Sequence, residues 1–233
     1  MNASPEGYTL YGWEASYFTG KVRSYLRRKG IDFVEVAPTI FGYYLTLPAK
    51  TRATAIPVLR TATGQWIQDS SAIIDHLEAV FPDAPVVPAG PVQRFAAMLI
   101  ELWGDELWIP TALHTRWNHM DENYPFLERD VGLSLLPGWP WAVQKLAARQ
   151  VARHMYRYLP KAGVTPDQYD LLDRWTEARL DQLDHHFAEH EFLFGTRASI
   201  GDFSLFGPLY AHLGRDPWPR EHLIKPRTHL GAW

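Results

Sequence analysis

The sequence contains no cysteine among its 233 residues. That excludes disulfide scaffolds, thiolate metal sites and any nucleophile made from the protein's own thiol. An excess of charge of one sign is missing too: 23 Lys and Arg stand against 26 Asp and Glu, a formal net charge of −3. So balanced a chain gives no support to a nucleic-acid partner or a polybasic membrane contact. No apolar run is long enough to span a bilayer. Met1 to Gly7 carry neither the basic nor the apolar region of a signal peptide, and a cytoplasmic location is expected. Metal-ligand spacing is absent as well. His114 and His119 are five apart, on different faces of a helix, and His185, His186 and His190 read as part of a solvated helical face. There is no internal repeat and no low-complexity tract.

What is present is a substantial apolar fraction, 46% of residues, enough for two modest domains or one large one. Ten tryptophans is a high count, and many fall between Trp103 and Trp141, which hints at an aromatic-rich surface or pocket.

The stretch that organises the chain is Ile56-Pro57-Val58-Leu59, followed by Asp69-Ser70-Ser71-Ala72-Ile73. Ile56 to Arg60 reads as a short strand, with proline tolerated at its start because it has no N–H to pair. A cis peptide before Pro57 costs little and would turn the Ile56 backbone toward an extended ligand. Thr61 to Gln65 is a turn and Trp66-Ile67-Gln68 a second strand. Asp69, Ser70 and Ser71 then open a helix with Ile73, Ile74, Leu77 and Val80 as its apolar stripe. Free N–H groups at a helix start suit a carboxylate, and an acidic side chain at the same place suits an ammonium.

Upstream, Tyr8 to Tyr11 is strand-like, Ser16 to Lys29 a helix stopped by Gly30, and Ile31 to Val36 a strand. Tyr43 to Lys50 is a short irregular helix. The order β-α-β-α-β-β-α suggests a thioredoxin-like α/β domain over 1–81. Residues 82–91 are dense in proline and read as a linker. From 92 to 233 the pattern is all-helical: Val92 to about His119 with a break expected at Pro110, a loop from Glu122 to Trp141, then helices over Ala142–Leu159 and Pro166–His190. Ser199 with Asp202 three residues on forms a capping-box pattern before an apolar run. A further helix is expected beyond Gly231-Ala232-Trp233.

The Ile-Pro-Val-Leu and Asp-Ser-Ser-Ala-Ile motifs, in this order and spacing, resemble the glutathione-binding half of the cytosolic glutathione S-transferases. The resemblance extends from Thr9 to about Leu213 and implies the fold just described, usually as a homodimer. It implies that Ile56, before Pro57, pairs with the cysteinyl backbone of glutathione, and that Asp69 and Ser70 hold its γ-glutamyl end. In serine-type members a serine between the first strand and first helix donates to the glutathione sulfur; Ser16 matches that position. Thr19 is the second choice. Tyr17 stands where a proline is usual, and with Tyr11 it is a candidate for a tyrosine-type site, although the usual tyrosine position is Gly12 here. Lys50 and Arg52 could meet the glycine carboxylate, but the usual basic or amide residue before the motif is absent. Trp13 and Glu14 share the loop near the sulfur. Trp103, Trp108, His114 and Trp117 belong to the helix that faces the acceptor pocket in this family, so Trp13, Trp108 and His114 are the candidate pocket residues. The implied reaction is transfer of glutathione, as cosubstrate, to a small electrophile, an aromatic one included. The alternatives are a glutathione-fold binding module without turnover, and a glutathione-dependent lyase or isomerase.

Overall fold

A computed structural model describes residues 7–233. The expectation drawn from Met1 to Gly7 therefore falls, but for Gly7, outside the described residues. The amino-terminal part is a four-stranded sheet in the order β2-β1-β3-β4. β1 (Tyr8–Tyr11) runs parallel to β2 (Phe33–Val36) and antiparallel to β3 (Val58–Arg60), which pairs antiparallel with β4 (Trp66–Gln68). The register sets Leu10 opposite Leu59 and Leu59 opposite Ile67. That row packs with Val22, Tyr25 and Leu26 of helix α1 (Tyr17–Arg28) and Ile73, Ile74 and Leu77 of α3 (Ser70–Val80). The irregular segment Gly42–Thr46 leads into the short α2 (Leu47–Thr51). The Ile56–Pro57 peptide is cis.

Residues 81–90 lead to the helical region: α4 (Pro91–Leu102), α5 (Ile109–Trp117), α6 (Met120–Leu135), α7 (Trp141–Tyr158), α8 (Tyr169–Phe187) and α9 (Ile200–Pro208). Two expectations are corrected here. The break after α4 falls at Trp103–Leu107, where the backbone hydrogen bonds widen to span five residues, and Pro110 sits in the first turn of α5, where its missing N–H costs nothing. The stretch from Glu122, expected as a loop, is mostly α6, a 16-residue helix with Pro125 inside it. The bond Pro125 cannot make would go to the Asp121 carbonyl; both residues are exposed, so that carbonyl is open to solvent.

The two parts share a core. Ala97, Ile200 and Phe203 join the cluster beneath the sheet, and Tyr17 of α1 belongs to the cluster of Trp108, Leu180, Leu205 and Leu209. Backbones meet closely there. A Cβ on Gly207 would lie 2.8 Å from the Tyr17 carbonyl, and one on Gly104 2.8 Å from the Leu205 nitrogen. The capping box of α9 is formed: the Ser199 N–H and hydroxyl both donate to Asp202 Oδ2 at 2.8 Å. No helix among the described residues is long and apolar enough to cross a membrane.

Candidate functional site

Ser16 is the N-cap of α1, and its hydroxyl oxygen accepts from the Thr19 N–H at 3.3 Å. It also lines a cleft of about 190 Å³ with Trp13, Leu113, Arg116, Trp117, Leu135 and Met155 among its walls. Its walls are thus mostly apolar, drawn from both halves of the chain. Trp13 is fixed by its indole N–H on the Pro38 carbonyl at 2.8 Å and by the Tyr43 ring at 4.7 Å.

Arg116 holds this arrangement and carries no sequence signal of doing so. All five of its N–H donors are used. Nε and Nη2 fork onto the buried Asp216 at 2.6 and 3.1 Å, and Nη2 also reaches the Ala211 carbonyl at 2.6 Å. Nη1 donates to the Ala15 carbonyl at 3.2 Å and to His212 Nε2 at 3.3 Å. Burial first, and the Arg116 charge next, hold His212 well below the usual histidine range. Its neutral ring then donates from Nδ1 to the Ala112 carbonyl at 3.1 Å. A guanidinium from the helical region therefore grips the backbone next to Ser16.

The other candidates near Ser16 are accounted for by packing. The Tyr17 hydroxyl donates to the Gly104 carbonyl across the two parts, and burial, then Asp105 and Glu106, push the phenol far above its ordinary value. Thr19 is fully buried beneath Gly12; a side chain at Gly12 would collide with it, its Cβ 2.8 Å from that of Thr19. No tyrosine fits there. Tyr11 stacks on Trp66 at 5.2 Å. Glu14 accepts from the Tyr210 hydroxyl and pairs with Arg23 at 3.2 Å.

At the hairpin, the Ile56 backbone N–H and C=O make no hydrogen bond among the described residues, and Pro57 behind it is buried. Asp69 is the N-cap of α3: Oδ1 accepts from the Ser71 and Ala72 N–H groups, both at 3.0 Å, and Oδ2 has no partner among the described residues. Ser70 is buried at the helix start. Next to it, Ser71 donates to Glu101 of α4 at 2.8 Å. Lys50 and Arg52 are exposed at the end of α2 and make no salt bridge among the described residues.

Two expected pocket residues stand elsewhere. Trp108 is fully buried, edge-on to Trp103 at 5.4 Å and Trp175 at 5.0 Å. His114 is buried against Tyr169 and bonded to Asp173 and Asn118 at 2.9 and 2.7 Å. The face of α5 that reaches the cleft is Leu113, Arg116 and Trp117, the i, i+3, i+4 set one residue away from His114.

Residues 10–85 match the family model described as the glutathione S-transferase, N-terminal domain. A probable maleylacetoacetate isomerase of Caenorhabditis elegans is 33% identical over 98 residues, which span 40% of this chain and 44% of that protein, so less than half of that relative is matched. Among solved structures, the beta-etherase LigF of a Sphingobium species aligns over 97% of this chain and 93% of its own, with a TM-score of 0.63 at 20% identity. A glutathione S-transferase of Methylobacterium radiotolerans, solved with glutathione sulfonate, aligns over 97% and 88% with a TM-score of 0.54 at 20% identity. Residues 10–85 thus form a glutathione S-transferase amino-terminal domain, and the two-part fold of the chain is that of solved glutathione S-transferases.

Proposed function

We propose that the protein is a glutathione transferase that joins the glutathione sulfur to a small apolar electrophile, with 1–81 holding glutathione, 82–91 linking, and 92–233 supplying most of the acceptor cleft. The observation that carries this reading is the position of Ser16, at a helix start and in the wall of an apolar cleft built by both parts. Ile56 and Pro57 supply the backbone edge for the cysteinyl residue, and Asp69 Oδ2 and Ser70 the γ-glutamyl anchor. The free thiol titrates at about 8.5, and lowering that by two units requires about 2.7 kcal/mol of preferential thiolate stabilisation. A donated hydroxyl beside a helix N-terminus supplies stabilisation of that order. The thiolate then forms a bond to an electrophilic carbon, and the leaving group departs with the bonding pair. Reduced glutathione is abundant in the cytoplasm, the location this reading favours.

A second reading shares the first step. If the carbon attacked bears an aryl ether oxygen, the same displacement expels a phenolate and the enzyme cleaves the ether, leaving glutathione on the carbon; a lyase would follow only if that adduct then eliminated. If the sulfur adds to a double bond and is later eliminated, glutathione is regenerated and the enzyme is an isomerase. The printed names of the etherase and isomerase relatives, with Trp13 and Trp117 in the cleft, favour an aromatic or conjugated acceptor. Conjugation of chlorodinitrobenzene, measured beside a glutathione titration, tests the reading. Turnover dependent on glutathione supports it; tight binding of glutathione with no turnover on any electrophile or aryl ether selects a non-catalytic module.

The homodimer expected of the family has a face available here. Val92, Phe95, Leu99 and Leu102 on α4 are 76%, 65%, 49% and 57% exposed, at i, i+3, i+7 and i+10, one apolar stripe.

A further inference from the structure

Helix α7 carries a second feature unrelated to glutathione. Between Asp130 and Asp167 the chain has no carboxylate side chain, although acids outnumber bases over the whole. In that interval Lys145, Arg149, Arg153 and Arg157 recur every fourth residue along α7, and Lys161 follows just beyond its end. At about 1.5 Å per residue those on α7 form a ridge with a positive charge every 6 Å or so. Lys145 is paired with Glu128 at 3.4 Å, whereas Arg149, Arg153 and Arg157 make no salt bridge or side-chain hydrogen bond among the described residues.

These three arginines line one side of a groove of about 520 Å³ between α6 and α7. Met120 and Tyr124 of α6, with Ala152 and Tyr156 of α7, give it an apolar and aromatic lining, and Asp121 is the single acid at its rim. The Tyr124 hydroxyl is buried in the wall with no partner among the described residues. A volume of this size lies in the range of small-molecule sites. Unpaired guanidinium groups on successive turns offer forked donors to carboxylate, sulfonate or phosphate oxygens.

We propose that this groove binds a small organic polyanion: a flat, apolar body carrying two or more acidic groups about one helical turn apart. Asp121 orients it, repelling the acidic edge toward the arginines. The apolar and aromatic lining behind the arginines favours a small organic molecule over a membrane or an extended acidic peptide. The site is separate from the cleft at Ser16, yet the two share α7 as a wall, since Val151 and Met155 face the cleft.

The test is a fluorescence titration of the full chain with pyrene tetrasulfonate, with uncharged pyrene as control. Saturable binding of the tetrasulfonate that weakens as salt rises is expected. Arg153→Ala should weaken it about tenfold and Arg149→Ala with Arg157→Ala further, while Arg153→Lys, which keeps the charge and loses the fork, falls between. Glutathione and S-hexylglutathione should not displace the dye, and glutathione turnover of the arginine variants should be unchanged, which also certifies their fold. Equal affinity in all variants, displacement by S-hexylglutathione, or equal binding of uncharged pyrene overturns the proposal. So does binding of anionic vesicles or an acidic peptide with no binding of the dye.

Discussion

The hydroxyl oxygen of Ser16 is an acceptor for the Thr19 N–H, which leaves its proton to be donated into the cleft. A donor at the sulfur favours thiolate over thiol, so Ser16→Ala should raise the bound thiol's pKa and depress turnover about tenfold at neutral pH, with recovery near pH 9 where thiolate forms unaided. Thiolate absorbance against pH, for both proteins with glutathione bound, checks this; parallel profiles would reduce Ser16 to a helix cap. Asp69 permits a cleaner separation. Asp69→Asn keeps an oxygen for the Ser71 and Ala72 N–H groups but removes the charge. Glutathione affinity should fall by about 1–3 kcal/mol by calorimetry, the range for a lost charge-assisted hydrogen bond, with little change in stability. Unchanged affinity would leave Asp69 with capping alone. The structural places of Ser16 and Asp69 as helix caps, and of Ile56 before a cis-proline, were legible because each sits in a local motif whose spacing is itself the signal. Arg116 was not: its partners Ala15 and Asp216 lie about a hundred residues away on either side, and nothing within its own helix marks the pairing.

At the scale of elements, Glu78 on α3 ties three segments. It accepts from the Tyr25 hydroxyl at 2.7 Å and from the Val86 N–H at 2.8 Å, and it pairs with Lys29 at 2.9 Å. Burial by itself would raise its pKa, but the hydrogen bonds from Tyr25, Lys29 and Val86 and the Lys29 charge bring it below the ordinary glutamate value of 4.5. An acid depressed on folding adds stability above its unfolded pKa and loses it as pH falls through the lower folded value. Glu78→Gln should therefore cost roughly 1–2 kcal/mol at neutral pH, a difference that closes only below the normal glutamate range. Urea unfolding at several pH values measures it, and a gap independent of pH would contradict the charge argument. Most elements were readable from apolar periodicity and caps, including α3 after Asp69 and α9 after Ser199. α6 was not, because Pro125, Gly132 and a string of charges resemble a loop; the buried Asn123, Leu127 and Leu135 make it a helix, and those contacts come from elsewhere in the chain. The hydrogen bonds of Asn123 run to the carbonyls of Thr115 and Arg116 and to the Trp218 N–H.

Across the whole molecule, the two parts are joined by charge as well as by apolar contact. Lys21 of α1 is fully buried and reaches Glu101 at 2.8 Å, Asp105 at 2.6 Å and Ser71 at 3.1 Å. Lys21→Met removes the cation and leaves two carboxylates confronting each other, so unfolding stability should drop by about 3–5 kcal/mol. A loss under about 1 kcal/mol would mean the junction is held by apolar packing alone. On the exposed side of α4, Phe95→Asp should shift the protein from dimer to monomer in sedimentation equilibrium without unfolding it, if the exposed α4 stripe joins two copies; an unaltered mass would place any dimer contact elsewhere. The grip of Arg116 on the Ala15 carbonyl has a consequence for recombination between relatives. A chimera that kept this chain up to residue 90 and took its remaining helices from a homologue would inherit the open Ile56 edge and the Asp69 carboxylate intact. It would receive no guarantee of an arginine beneath Ala15, of a bare carbonyl at Gly104 for Tyr17, or of a residue small enough at Gly207. Such a hybrid should bind the tripeptide yet hold its serine out of register; under the function proposed above, the donor to the sulfur and the acceptor cleft would be exchanged together and not as separate modules.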